Sequence, residues 1–476
     1  MNTANFSAQQ LQAERLLLLP SYILLKEGLV QDQAILVENG IFQDIGTHVE
    51  LTKKYPDIVP VKLQDQLIMP GMIDGHHHLT QSFAKSLAYG EPSEIFKRIW
   101  VPLESNLNEQ FVYLCTKLAA LESLRGGFTT VCDAGTRSEI GMQLMVRALE
   151  ETGLRCVLSL ICNDGRAHST LELRQNILEN AQIFIKSYQQ HKNVHPSLAI
   201  SIPEVASDDM LYEVSKLCAN SNIIFQVHVN EHLASVERSI IQQGMRPLEH
   251  LAKVGALGPQ TLIAHATMLT PSELLLLQRT DTAVSYNPVA SQWKGNAVAS
   301  AHLMHELNIR FALGTDATRA DGFRLLDAAE ATQKLIFGIP TGDCSTGGGW
   351  MWLDHATTAG AEAVGLSQLT GSISIGKQAD FLIIDLDTPE FCTSQDITWD
   401  MVRLCQRDQI QAVFVGGRIC LWQGWPLDWD AKELMYRMKV LTKKAIEASP
   451  IQKLHPTAEQ HRQLHGQTSQ QQSVYI

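Results

Sequence analysis

The run His76-His77-His78 in "PGMIDGHHHLTQS" follows a short apolar stretch and offers the side chain most often used to bind a transition metal. Side chains alternate across a strand, so His76 and His78 share one face, while His77 takes the other and is assigned to packing or to supporting the ligands from behind. Two imidazoles two residues apart at a strand end can chelate one ion. His228 in "IIFQVHV", His265 in "TLIAHA" and Asp316 in "IRFALGTD" each lie in or close an apolar, strand-like run. Three histidines with one carboxylate suit zinc and leave a position for water. An ion held in this way lowers the pKa of a bound water toward neutrality and supplies hydroxide. Glu231, three residues after His228 in "HVNEH", adds a carboxylate that can take a proton from that water and deliver it to a leaving nitrogen. Apart from a metal, the same glutamate reads as a solvated residue at the start of a helix. A closed structural zinc site is the alternative for the histidines. It favours cysteines close in sequence, and the nine cysteines include no CxxC pair.

Such residues act together only if a fold brings their strand ends together. Eight apolar runs, "LIMPGMI", "TTVCDAG", "LRCVLSLIC", "SLAISIP", "IIFQVHV", "TLIAHA", "TAVSYNP" and "IRFALGTD", alternate with helix-like segments. One helix, "LNEQFVYLCTKLAALESLRGG", repeats apolar residues at helical spacing and stops at Gly126-Gly127. Another opens with the capping-box sequence "TPSE" at Thr270. This α/β pattern predicts a (β/α)8 barrel, whose active sites assemble at the C-terminal ends of the strands. A doubly wound open sheet is the other candidate, but no Gly-x-Gly-x-x-Gly follows a strand, and "STGGGW" lacks the Lys-Ser/Thr of a phosphate loop. Outside the barrel, "AILVENGIFQDIG" reads as a hairpin turning at Asn39-Gly40, and β patterns return after residue 366 in "GSISIGKQADFLIIDL" and "QAVFVGGRIC". The expected division is 1–69 and 366–430 as two parts of a small β domain, 70–365 as the barrel, and 431–476 as a helix and Gln-rich flexible tail. Residues 1 to 13 are expected to fray.

The chain has 476 residues, 38 basic and 50 acidic, for a net charge of −12. With no long basic run, nucleic acid and anionic membranes are excluded as partners. Unpaired cysteines fit a cytoplasmic protein with reduced thiols. "RLLLLPSYILL" is broken by Pro20 and flanked by charge, so it is read neither as a signal peptide nor as a membrane span.

The motifs "MPGMIDGHHHLTQS", "HVNEH", "AHATML" and "GTDA", in that order, resemble the amidohydrolase superfamily, in the branch that holds guanine deaminase, S-adenosylhomocysteine deaminase and the triazine hydrolases. The resemblance spans nearly the whole chain. It implies a TIM barrel with a small β-sandwich built from the N- and C-terminal segments. It further implies that His76, His78, His228 and Asp316 bind one divalent ion, usually zinc and sometimes iron. Asp316 would also accept a proton from the attacking water, Glu231 would shuttle protons, and His265 would polarise the substrate or steady the water. Gln81 sits where guanine deaminase contacts its base, and Tyr286 stands in place of a histidine found in several relatives, marking a substrate position. The fourth strand, "SLAISIPEV", offers no lysine to bridge two metals, so one ion is expected. Trp100 and Glu104 in "IWVPLESNL" resemble a loop that can cover the pocket in the triazine-hydrolase branch, though a tryptophan beside an amphipathic helix also reads as core; Arg319 and Asp321 follow Asp316 in a loop that could touch substrate, or else are salt-bridged surface residues.

The implied activity is hydrolytic deamination of an amino-substituted N-heterocycle of purine, pterin, pyrimidine or triazine type. Hydrolysis or closure of a cyclic amide or ureide is the alternative, with displacement of halide or alkylamine from a triazine as a narrower variant. A noncatalytic scaffold is disfavoured, because every implied ligand and Glu231 is present. Relatives often form homodimers, and nothing in the pattern decides this for the present chain.

Overall fold

The computed structural model describes residues 6–91, 94–138, 141–295, 297–345, 347–457 and 459–463. Its strands run in chain order as β1 (Arg15–Leu25), β2 (Gly28–Gln31), β3 (Gln33–Glu38), β4 (Ile41–Thr47), β5 (Val61–Pro70), β6 (Met72–His77), β7 (Phe128–Asp133), β8 (Arg155–Ile161), β9 (Val194–Ile200), β10 (Phe225–Val229), β11 (Thr261–His265), β12 (Ala283–Tyr286), β13 (Phe311–Leu313), β14 (Phe381–Asp385), β15 (Ile410–Val415) and β16 (Arg418–Trp422). They form two eight-stranded sheets.

Strands β6 to β13 pair in parallel in sequence order, with helices between them, as a (β/α)8 barrel requires. The ring is drawn shut where His77 bridges Asp316 in parallel and the Asp316 N–H donates to the His76 carbonyl at 2.8 Å. Ile73, Cys132, Val157, Leu262, Ala283 and Ala312 of the barrel strands share one buried apolar cluster. One expectation needs correction: "LIMPGMI" is not a single barrel strand. Leu67–Pro70 end β5, which pairs with β1 and β14, and the first barrel strand begins at Met72. Gly71 is the switch point. A Cβ there would lie 2.1 Å from Thr129 Oγ1, so only glycine lets the chain cross so near β7.

The other sheet is ordered β16-β15-β14-β5-β1-β3-β4, with β2 on β1, so the two ends of the chain meet where β5 pairs with β14. Asn39 and Gly40 both have positive φ (55° and 79°) and close the hairpin between β3 and β4, as their types require. The expected fraying of residues 1 to 13 does not hold for 6–13. Phe6 and Leu11 are buried in the core of this sheet, and Phe6 packs edge-on against Trp422.

Four helices matter below: α1 (Glu109–Arg125), α2 (Leu233–Gln243), α3 (Pro288–Lys294) and α4 (Ala431–Ala448). Asn108 caps α1 and Asp430 caps α4, each accepting backbone N–H groups of the first turn. The Thr270 capping box is present. Residues 464–476 of the expected flexible tail lie outside the described residues. Among the described residues, no helix is long and apolar enough to cross a membrane.

Candidate active site

At the C-terminal end of the barrel, β6 presents His76 and carries His78 just past its end, β10 presents His228, and β11 ends at His265. Asp316 follows β13. The reach of these side chains comes partly from unusual backbone: His265 (φ 75°) and Asp316 (φ 56°) both take the left-handed region that non-glycine residues avoid. Their neighbours hold them there, the Asp316 N–H through His76 and the Ala266 N–H through the Val229 carbonyl at 3.1 Å.

The donor atoms of His76, His78 and His228 lie within 4.8 Å of one another, and so do those of Glu231, His265 and Asp316. His228 Nε2 stands 3.3 Å from His78 Nε2, which is 3.4 Å from Asp316 Oδ1; His76 Nε2 is 3.9 Å from the same oxygen. An ion with four tetrahedral ligands at ~2.1 Å sets its donors ~3.4 Å apart, so the spacing fits zinc. The protonation states fit as well. His228 Nδ1–H donates to the Ser201 carbonyl at 2.8 Å, which leaves the Nε2 lone pair facing inward. Burial, followed by the neighbouring imidazoles, holds His76 well below the usual histidine range; burial also lowers His78 and His228. The buried Nε2 of His76 has no hydrogen-bond partner, which a neutral ring facing a cation explains.

His265 is arranged differently. Its Nδ1 accepts from Asn287 Nδ2 at 3.1 Å, so the proton sits on Nε2. That N–H points toward Glu231 Oε2 (3.7 Å) and Asp316 Oδ2 (4.0 Å), as a donor rather than a ligand. Burial lowers the His265 pKa to about 4, keeping the ring neutral. Burial opposes ionisation of Glu231 and Asp316, but the His265 N–H directed at them and the Lys294 ammonium outweigh it and hold both carboxyls well below their usual range.

His78, His228, Glu231, His265, Lys294 and Asp316 line one cavity of about 900 Å³, counting the open space at its mouth. Ile95, Phe96 and Trp100 form an apolar wall, and Ser201, Ile202, Pro203 and Glu204 also line the cavity. Gln81 lines the cavity and is 2% exposed; its Nε2 donates to Glu104 Oε2 at 3.2 Å. Glu104 is fully buried behind it, where it also accepts from Thr80 and from Arg137 at 2.6 Å. Tyr286 is not brought to this cavity. It is fully buried, with its hydroxyl accepting from Gln333 at 3.0 Å on the far side of the strand. Arg319 and Asp321 do not line the cavity either, and Asp321 caps the helix Gly322–Gln333. His77 turns away to Thr315 Oγ1 at 2.8 Å, as its strand parity implies.

Sequence reasoning missed Lys294 and Arg137. Lys294, the last residue of α3, places Nζ 2.6 Å from Glu231 Oε1 and 2.8 Å from Asp316 Oδ2. Arg137 lies over the Phe96 ring at 4.4 Å and donates to Ser201 Oγ as well as Glu104. The only signal for Lys294 is a lone charge after the seventh barrel strand.

The wall carrying Ile95, Phe96 and Trp100 is fastened from outside by the C-terminal segment. The fully buried Glu91 carboxylate accepts N–H groups from Leu454 and His455 and pairs with Arg98 at 2.9 Å, while Arg98 also donates to the Gln452 carbonyl. Ile446 and Ile451 pack beneath Ile99 and Trp100, next to Ala317.

The amidohydrolase family model matches residues 67–420, most of the chain. The chain belongs to the amidohydrolase family. It is an enzyme of hydrolytic carbon–nitrogen bond cleavage, as the sequence motifs implied. It is 27% identical to a 5'-deoxyadenosine deaminase of Methanobrevibacter smithii over 79% of this chain and 87% of that one. It is 26% identical to a 5-methylthioadenosine/S-adenosylhomocysteine deaminase of Thermodesulfovibrio yellowstonii, over 86% and 93%. A zinc-bound adenosine deaminase structure from Xanthomonas campestris shares the fold, with a TM-score of 0.82 at 22% identity, covering 90% and 98%.

Proposed function

We propose that this amidohydrolase is a single-metal aminohydrolase that releases ammonia from an amino-substituted N-heterocycle, of purine, pterin, pyrimidine or triazine type. The observation that carries this reading is that Glu231, His265 and three of the four proposed ligands, His78, His228 and Asp316, line one cavity with an apolar, aromatic wall, and that His76 clusters with His78 and His228 beside it. The deaminase relatives support it.

His76, His78, His228 and Asp316 would hold one divalent ion, zinc by preference, since the donors are neutral imidazoles and a carboxylate at tetrahedral spacing. When bound, the ion supplies a water activated for attack at neutral pH. The remaining work belongs to side chains. Glu231, ionised in the resting site, takes a proton and returns it to the departing nitrogen. His265 offers its Nε2–H to charge that develops beside the attacked carbon, from a position already fixed by Asn287. Asp316 keeps Oδ2 turned from His76 and His78 toward Lys294, where it accepts a proton once Lys294 yields. Ile95, Phe96 and Trp100 bind the face of the ring, and Gln81, tied by its amide nitrogen to Glu104, turns its carbonyl toward ring N–H donors.

The test is ammonia release by zinc-loaded protein from aminopurines, pterins, aminopyrimidines and aminotriazines, with Glu231→Gln as control. Release by the wild type alone is expected and identifies the ring class. A zinc-loaded wild type silent on all four classes would remove the deaminase reading.

A further inference from the structure

The reaction end of the cavity contains a cation that belongs to the protein itself. Lys294 Nζ donates to Glu231 and Asp316 at 2.6 and 2.8 Å, and the three side chains are 17%, 16% and 6% exposed. Buried lysines are rare unless paired, and here one ammonium serves two carboxylates. Asp316 faces two ways: Oδ1 turns to the imidazoles of His76 and His78, and Oδ2 to the lysine. A metal and Lys294 therefore draw on the same aspartate from opposite sides, in surroundings where water screens little.

We propose that Lys294 is an internal counter-ion that competes electrostatically with the divalent metal for Asp316, stabilising the metal-free site and setting how tightly the ion is held. Glu231, Asp316 and Lys294 together carry a formal charge of −1. Removing the ammonium leaves two buried carboxylates at −2, which favours a divalent ion and penalises the empty site. Whether the lysine stays on Oδ2 or swings away when the ion enters, its charge opposes the ion. The inference rests on the ligand set proposed above but not on deamination.

The experiment is zinc affinity measured by competition with a chromogenic chelator, on apo wild type, Lys294→Met, Lys294→Gln, Glu231→Gln and the Glu231→Gln/Lys294→Met double variant. Both Lys294 variants are expected to bind zinc about tenfold or more tightly, and Glu231→Gln about tenfold more weakly. The double variant, restored to −1, is expected to return near wild type. Apo Lys294→Met should melt below apo wild type, with the gap closing on zinc loading; if it does not fold, Lys294→Gln carries the test. Unchanged or weaker zinc binding in the Lys294 variants overturns the proposal. A double variant as tight as Lys294→Met also overturns it, by tracing the effect to packing rather than charge. Since no turnover is measured, a charge ladder found in a protein that releases no ammonia would count against the deaminase reading alone.

Discussion

Two buried charge clusters in this molecule look alike in composition and differ in what they leave undone. At the junction of barrel and sheet, Arg155 and Asp380 are both fully buried and pair through two hydrogen bonds of 2.9 and 3.1 Å. Every remaining valence is met: Arg155 reaches the Lys192 carbonyl, and Asp380 accepts from Thr370 and from the Gly416 N–H. At the barrel mouth, Lys294, Glu231 and Asp316 are also paired, but Nε2 of His76 and Nε2 of His265 beside them have no hydrogen-bond partner among the described residues. A satisfied cluster fixes structure. A cluster with convergent unmet valences has capacity left for something else to bind or react.

The strongest test of this contrast is at the closed cluster. Asp380→Ala leaves Arg155 buried without its partner and should cost about 3–5 kcal/mol in denaturant unfolding. The turnover of the protein that remains folded should be unchanged, because nothing at the mouth depends on that pair. Replacing both residues, Arg155→Met with Asp380→Leu, should recover most of the loss. At the open cluster, His265→Ala is expected to lower kcat about 10²–10³-fold, the usual effect of losing one preorganised donor. Metal analysis of that variant should still find one zinc, because Nε2 carries a proton and is no ligand; loss of the ion would make His265 a ligand after all.

These expectations also show what was legible in the chain. Metal-ligand types at strand ends could be read because strand periodicity is local and a histidine or aspartate closing an apolar run is conspicuous. The eight barrel strands were recovered for the same reason, apart from the crossing at Gly71, where one continuous apolar run serves two sheets. Lys294, Arg137 and the burial of Glu104 were not legible. Each depends on a partner tens of residues away, as Lys294 does on Glu231 and Arg137 on Glu104, and a lone charge in a loop looks the same whether it meets water or carboxylate. Tyr286 was misplaced as a substrate contact because its strand turns that side chain outward, to Gln333.

A smaller effect separates the clusters by acidity. His195 and His355, away from the mouth, are lowered by burial to about 4 and about 3, so they stay neutral in the fold but protonate near 6.5 once unfolded. The unfolded chain then binds more protons, and stability must fall as pH drops. Between pH 7 and 6 this should amount to about 1 kcal/mol, seen as a lower melting temperature. The smallest effect is expected at the cavity wall. Glu91→Gln weakens the attachment of the C-terminal segment and should raise KM about fivefold or less, with kcat unchanged, as the loss of about one hydrogen bond implies. A fall in kcat instead would show that this wall acts on the chemistry and not only on binding.

The fastening of that wall has a consequence for how the enzyme is made. Every proposed metal ligand has been synthesised once the ribosome passes Asp316, but the wall of Ile95, Phe96 and Trp100 is secured by residues 452–455. Because domains fold largely as the chain emerges, the ion site can assemble on a nascent barrel while the substrate cavity still lacks its fastening. Metal loading can therefore precede competence to bind substrate, and translation of the last turn of α4 and the segment beyond it becomes the step that completes the enzyme.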